Sequence, residues 1–294
     1  MSSDTQAFRP RRSVLYMPSS NARALEKARS LPCDGLLLDL EDAVAPDAKV
    51  EARAAACAAA RSGGYGRREI VIRVNAMGTQ WHDDDMTAAC AAAPDAIAVP
   101  KVESADDVRA LVADLEKYGA PARTGLWAMV ETPVAMLRCE QIASASSRLT
   151  VLVMGTNDLA KELRAEYVPG REPLLTGLGL CLLAARATGT AILDGVYNDV
   201  KNTEGFRSEC EQGRRLGFDG KTLIHPGQVA VANETFAPSE QAVEEARGII
   251  EAWEAGEGAG VVTYNGRLIE NLHVETAQRA LAMHEAIRAL DAER

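Results

Sequence analysis

The chain has 294 residues, 47% of them hydrophobic, and carries 42 acidic against 32 basic side chains for a formal net charge of −10. That length suits one large barrel or two small domains, and the acidic surplus excludes nonspecific nucleic-acid binding, which needs a basic field. No apolar run approaches the roughly 20 residues that span a membrane, and the polar stretch Met1–Arg12 lacks the apolar centre of a secretory signal.

In chain order, short apolar runs of strand length are predicted at Val14–Met17, Gly35–Leu40, Ile70–Val74, Ala96–Val99, Gly125–Val130, Val151–Met154, Ala191–Leu193 and Thr222–Ile224. Amphipathic stretches lie between them, among them Asn21–Ser30, Ala48–Arg61, Ser104–Tyr118, Leu174–Thr188 and Thr203–Leu216. Eight β–α units in about 235 residues fit an α/β TIM barrel better than an open doubly wound sheet. No G-x-G-x-x-G follows the first strand, which counts against a dinucleotide fold. After about Phe236 the pattern changes to a helix over Ser239–Ala255, a Gly-rich turn, a hairpin in Val261–Ile269 turning at Asn265-Gly266, and a last helix over Val274–Leu290. The expected organisation is therefore a barrel of residues 1–236 and an appended extension of residues 237–294. The six cysteines (Cys33, Cys57, Cys90, Cys139, Cys181, Cys210) are scattered without a C-x-x-C pair. They read as small core residues of a protein in the reducing cytoplasm.

Reactive residues collect where the strands end. Asp39, Glu41 and Asp42 close the second strand, Arg73 and Asn75 the third, Lys101 the fourth, Glu131 the fifth, Asp158 the sixth, Asp194 the seventh and His225 the eighth. A barrel gathers those ends on one face. Glu131 and Asp158 are either caps of the helices that follow or oxygen ligands of a hard cation such as Mg²⁺ that leave positions for water and substrate. Arg73, on the apolar strand Val71–Val74, either pairs with a core acid such as Glu41 or Asp42 or offers its planar fork to a substrate carboxylate or carbonyl. The two roles are compatible if Glu41 and Asp42 orient Arg73 and the waters of a metal. His225 is either an acid/base group or a hydrogen-bonding residue of the rim. His82, His273 and His284 have no zinc spacing.

Taken together, Arg12–Asn21, Leu38–Pro46, Arg73-Val-Asn75, Val99–Val102, Glu131-Thr132, Gly155–Asp158 and Gly217–Pro226 resemble, in order and over nearly the whole chain, the citrate lyase β-subunit-like family. That family includes malyl-CoA, β-methylmalyl-CoA and citramalyl-CoA lyases. The resemblance implies a Mg²⁺-dependent TIM barrel that cleaves or forms a C–C bond between an acyl-CoA thioester and a 2-oxo acid. It implies a homotrimer or hexamer in which the C-terminal extension is a lid over a neighbouring subunit's site. By the same resemblance Glu131 and Asp158 hold Mg²⁺, Arg73 holds the oxo acid and the developing enolate, and Tyr16, Arg23 and Lys27 receive CoA. Two positions depart from the family pattern. Pro18-Ser19-Ser20 stands for Pro-Gly-Ser, and Glu270 stands where malyl-CoA lyases carry the lid Asp proposed as acid/base. Glu270 is accordingly the acid/base candidate. Three alternatives stay open: a malyl-CoA thioesterase on the same site, a citrate lyase β subunit acting on an acyl-carrier-protein thioester, and a class II pyruvate aldolase.

Overall fold

Eight parallel strands close on themselves in sequence order: β1 Ser13–Pro18, β2 Gly35–Asp39, β3 Glu69–Arg73, β4 Ala96–Val99, β5 Gly125–Val130, β6 Leu149–Met154, β7 Ala191–Asp194 and β8 Gly220–Leu223. The last returns to the first through Ser13↔Lys221, Val14↔Thr222 and Leu15↔Leu223. The structure, a computed structural model, describes residues 9–256 and 260–293. Residues 1–8 of the polar N-terminal stretch and 257–259 of the Gly-rich turn lie outside the described residues. The chain forms two compact units, one of Arg11–Phe236 and one of Ala237–Arg294 that also takes in Arg9 and Pro10, so the barrel unit begins later than the expected residue 1.

In the first unit the helices α1 Ala22–Ala28, α2 Lys49–Ser62, α3 His82–Ala92, α4 Ala105–Lys117, α5 Pro133–Leu137, α6 Cys139–Ser144, α7 Thr156–Leu163, α8 Leu175–Thr188, α9 Thr203–Leu216 and α10 Val229–Phe236 connect the strands or follow the last one. This is a TIM barrel, as the spacing of apolar runs predicts. The strands are buried on both faces, so they read as continuous apolar runs, and their pleat divides them between two cores. Val14, Leu37, Val71, Ala96, Ala98, Trp127, Met129, Val151, Val153 and Leu193 fill the interior, with Trp127 fully buried opposite the small Ala98. The alternate residues, such as Leu36, Leu38, Ile72, Ile97, Leu126 and Leu152, pack outward in a second, larger core with the helices.

Continuing that two-residue alternation past the strand ends decides what reaches the cavity. Tyr16 follows Val14, Asp39 follows Leu37, Arg73 follows Val71, and Glu131 follows Met129. The eighth strand ends one residue earlier than its apolar run suggests. Ile224 is 40% exposed and donates its N–H to Gln228 Oε1 (3.1 Å), outside the ladder.

The second unit contains α11 Glu240–Ala255, the hairpin β9 Val262–Tyr264 and β10 Arg267–Ile269, and α12 Asn271–Asp291. Ser239 caps α11 by accepting from the Ala242 N–H (3.1 Å). Asn265 (φ 48°) and Gly266 (φ 74°) both lie in the left-handed region, as a two-residue turn that matches strand twist requires. α12 starts three residues before the predicted Val274 because Glu270 takes the cap position, its N–H donating to His273 Nδ1 (3.1 Å).

Candidate active site

At the carboxyl end of the barrel lies a cavity of about 290 Å³ lined by Tyr16, Asp39, Asp42, Arg73, Glu131, Thr156, Asn157, Asp158, Asn198 and Thr222, with Met129, Met154, Val196 and Ile224 among its apolar walls. Arg73 lies in its wall and is 6% exposed. Its Nε and Nη2 donate to the two Asp39 oxygens, both at 2.7 Å. Nη1 reaches Glu41 Oε2 at 2.7 Å and Asp42 Oδ2 at 3.4 Å. The Tyr16 ring lies against the guanidinium at 4.8 Å. Burial works against the Arg73 charge, but Tyr16, Asp39 and Glu41 outweigh it and keep the group protonated. Of its five N–H donors, one on Nη2 is uncommitted, and the second on Nη1 has only long contacts, to Asp42 Oδ2 (3.4 Å) and Met129 Sδ (3.8 Å).

The carboxylates are the unbalanced part of the site. Burial, only partly offset by Arg73, pushes Glu41 up to about 8, with Asp42, Glu131 and Asp39 adding to the effect. Glu131 is pushed up to about 7 by burial first and by Asp158 second, against the opposing pull of the Lys101 N–H and Arg73. Tyr16 is raised above its ordinary value by burial, with Arg73 opposing. Asp39, Glu41 and Asp42 thus contact one guanidinium while Glu131 and Asp158 line the same cavity, and a cation would relieve the repulsion between those last two.

Glu131 and Asp158 do not cap helices. Thr132 caps α5 through the Ala135 N–H (3.2 Å), and Gly155 takes the cap position of α7, leaving Asp158 in its first turn. Glu131 Oε1 accepts from the Lys101 backbone N–H (2.8 Å), Lys101 itself being held in the left-handed region (φ 55°). A Cβ at position 155 would collide with Glu131 Cβ and Oε2, so only glycine lets α7 approach that carboxylate. Two carboxylates on a cavity lined with further oxygen atoms suit a hard cation such as Mg²⁺, whose remaining positions water or substrate fill. Among the described residues no group of three His, Cys, Asp or Glu side chains forms a metal cage.

Other residues at strand ends are engaged elsewhere. Asp194 lies one step out of phase with the inward Leu193 and is fully buried outside the cavity, where it accepts from Arg171 Nη1 (2.7 Å) and Lys221 Nζ (3.0 Å). Asn75 bonds to Lys49, Asp85 and the Leu40 carbonyl. His225 is exposed and caps a short turn, its Nδ1 accepting from the Gly227 N–H (3.1 Å). Arg23 and Lys27 are exposed one turn apart on α1, whose Leu25 and Ala28 are buried. Tyr16 lines the cavity beside Arg73. Glu270 belongs to the second unit. Sequence reasoning missed Asp39 as the two-pronged partner of Arg73, although the strand parity that turns Leu37 inward also turns Asp39 inward. It also missed Lys49, buried in the first turn of α2, for which the sequence carries no signal.

The HpcH/HpaI aldolase/citrate lyase family model matches residues 12–226, and a model described as a C-C bond lyase of the TIM-barrel fold matches residues 178–285. A (3S)-malyl-CoA thioesterase from Cereibacter sphaeroides is 52% identical over 285 residues, 96% of this chain and 98% of that protein. The citrate lyase β subunit of Escherichia coli is 36% identical over 284 residues, 94% of each chain. The Mycobacterium tuberculosis protein CitE, solved in complex with magnesium, acetoacetate and coenzyme A, is similar in structure with a TM-score of 0.73 at 28% identity, covering 92% of this chain and 97% of that one. The chain therefore belongs to the HpcH/HpaI aldolase/citrate lyase family, enzymes that include a malyl-CoA thioesterase and citrate lyase β subunits.

Proposed function

We propose that this protein is a Mg²⁺-dependent enzyme of 3-hydroxyacyl-CoA thioesters that hydrolyses (3S)-malyl-CoA to malate and CoA. The observation that carries the reading is that Glu131 and Asp158 line one cavity with a fixed Arg73. The choice of hydrolysis is supported by the 52% identity to thioesterases across nearly the whole length. Mg²⁺ held by Glu131 and Asp158 would supply Lewis-acid polarisation of the substrate's hydroxyl and carboxylate oxygens. Arg73, fixed by Asp39, presents its remaining N–H groups to the thioester oxygen as negative charge develops there. Water oxygen adds to the thioester carbon, the C–S bond breaks, and the departing thiolate takes the proton. Arg23 and Lys27 are assigned to the anionic groups of CoA, and Glu270, supplied by a neighbouring subunit of a homotrimer or hexamer, to proton transfer. We place the protein in the cytoplasm; among the described residues no helix is long and apolar enough to cross a membrane.

A second reading has its own support in the likeness to citrate lyase β subunits. The same site can run C–C cleavage: the substrate hydroxyl loses its proton, the C–C pair moves onto the thioester as an enolate facing Arg73, and the enolate is then protonated. Malyl-CoA would then give glyoxylate and acetyl-CoA. Purified protein incubated with malyl-CoA and Mg²⁺, with free thiol, malate and glyoxylate followed together, separates the two. Thiol release in step with malate supports hydrolysis, whereas glyoxylate without thiol moves the assignment to the lyase. Glu131→Ala and Asp158→Ala are each expected to abolish turnover and calorimetric Mg²⁺ binding while the barrel stays folded. Full activity in either variant removes the metal assignment.

A further inference from the structure

Lys49, in the first turn of α2, is 5% exposed, yet its recorded partners are neutral oxygens rather than a carboxylate. Its Nζ donates to the Leu40 carbonyl (2.8 Å), the Glu41 carbonyl (2.7 Å) and Asn75 Oδ1 (2.8 Å), using all three N–H groups, and it lies 5.2 Å over the Trp81 ring. Burying an ammonium is costly unless all its donors are met. A clip that joined two loops for stability alone would not need the charge. The carbonyls it grips belong to the two residues between Asp39 and Asp42, the acids on either side of Arg73. With its backbone held at that carbonyl, the Glu41 side chain reaches Arg73 Nη1 (2.7 Å). The brace continues behind Lys49: Asn75 Nδ2 donates to the Leu40 carbonyl (3.0 Å) and to Asp85 Oδ2 (2.6 Å), and Arg53 Nε fixes Asp85 (2.6 Å).

We propose that Lys49 is a positioning residue: by clamping the Leu40 and Glu41 carbonyls it holds Glu41 against Arg73 Nη1 and so steadies the guanidinium that Asp39 aims at the substrate. The inference rests on the reading of Arg73 as the group that faces the thioester. Its test combines crystal structures with a kinetic cycle of Lys49→Met, Glu41→Ala and the double variant on malyl-CoA. Lys49→Met is expected to lose the 2.7 Å Glu41–Arg73 contact while keeping the Asp39–Arg73 pair. Its kcat should fall about tenfold or more with KM within about threefold, and the double variant should be no slower than Glu41→Ala alone. An intact Glu41–Arg73 contact in Lys49→Met, or effects that multiply in the double variant, would overturn the proposal. Lys49→Gln, which keeps a neutral donor, carries the same measurements if the methionine variant does not fold. If the native enzyme leaves malyl-CoA untouched, the functional reading fails, while the crystallographic comparison still decides Lys49.

Discussion

Arg73 shows how a charge is kept usable inside a protein wall. A guanidinium with 6% exposure would be too costly alone, and Asp39 answers two of its donors with matched geometry, both at 2.7 Å. Glu41 adds a third contact but is itself pushed up to about 8 by burial, so it is the weaker anchor at neutral pH. Asp39→Ala is therefore expected to cost about 3–5 kcal/mol, the usual penalty for orphaning one member of a buried pair. It should also lower kcat by at least about tenfold, since the donors then lose their aim. Denaturant titration and steady-state rates check both, and a native-like Tm with full activity would show that Glu41 and Asp42 suffice. At this scale the sequence reveals which residue types stand at strand ends, and for Arg73, Glu131 and Asp158 that was enough to bring them to one cavity. It does not reveal which of three neighbouring acids takes the two-pronged position, because that depends on side-chain reach across β2 and β3. Lys49 is invisible for a related reason: two of its three partners are backbone carbonyls, which carry no sequence identity.

Helices and strands set two further dependencies. The approach of α7 to β5 requires the missing side chain at Gly155. Gly155→Ala should leave the barrel folded but displace the Glu131 carboxylate, lowering Mg²⁺ affinity along with turnover by about tenfold or more. Unchanged calorimetric binding in that variant would mean the helix yields instead. Between β7, β8 and α9, Asp194 and Glu209 meet Lys221 and Arg171, all within the layer joining sheet and helices. Burial alone would raise the Asp194 carboxyl, but Lys221 and Arg171 together hold it below its ordinary value. A carboxyl depressed on folding stabilises above its unfolded value of about 3.9, and that contribution fades as pH falls through the lower folded value. Urea stability of the native protein should accordingly decline below about pH 4, and Asp194→Asn should flatten that part of the curve while lowering stability near pH 7 by about 3 kcal/mol. An unaltered acid limb would assign the dependence to other groups. The eight strands were readable as apolar runs, but Asp194 shows the limit of that reading. A residue can end a strand and still point away from the cavity, because one step along the pleat exchanges the two faces.

For the whole molecule, the proposed arrangement divides one site between subunits, with Arg73 on the barrel and Glu270 on the C-terminal unit of a neighbour. Arg73→Lys and Glu270→Gln should each be nearly inactive as pure proteins, the first through loss of the planar fork and the second through loss of the proton-transfer group. Mixed and reassembled, they should regain a measurable share of native activity, because some sites then combine an intact Arg73 with an intact Glu270. A mixture as inactive as its components would place Glu270 outside the neighbour's chemistry. The Asn-Gly turn and the helix that follows were legible in the sequence, since two left-handed residues in succession leave few choices. Which surface the unit meets is a property of the assembly.

The distribution of sulfur has a practical consequence. All six thiols are buried, and all lie between Cys33 and Cys210, within the barrel unit. An aromatic disulfide reagent would therefore stay silent on the intact enzyme and report, one layer at a time, wherever the barrel wall transiently opens. Thiol labelling would thus follow the barrel unit, and protease nicking beyond Phe236 would follow the C-terminal unit, which carries no cysteine.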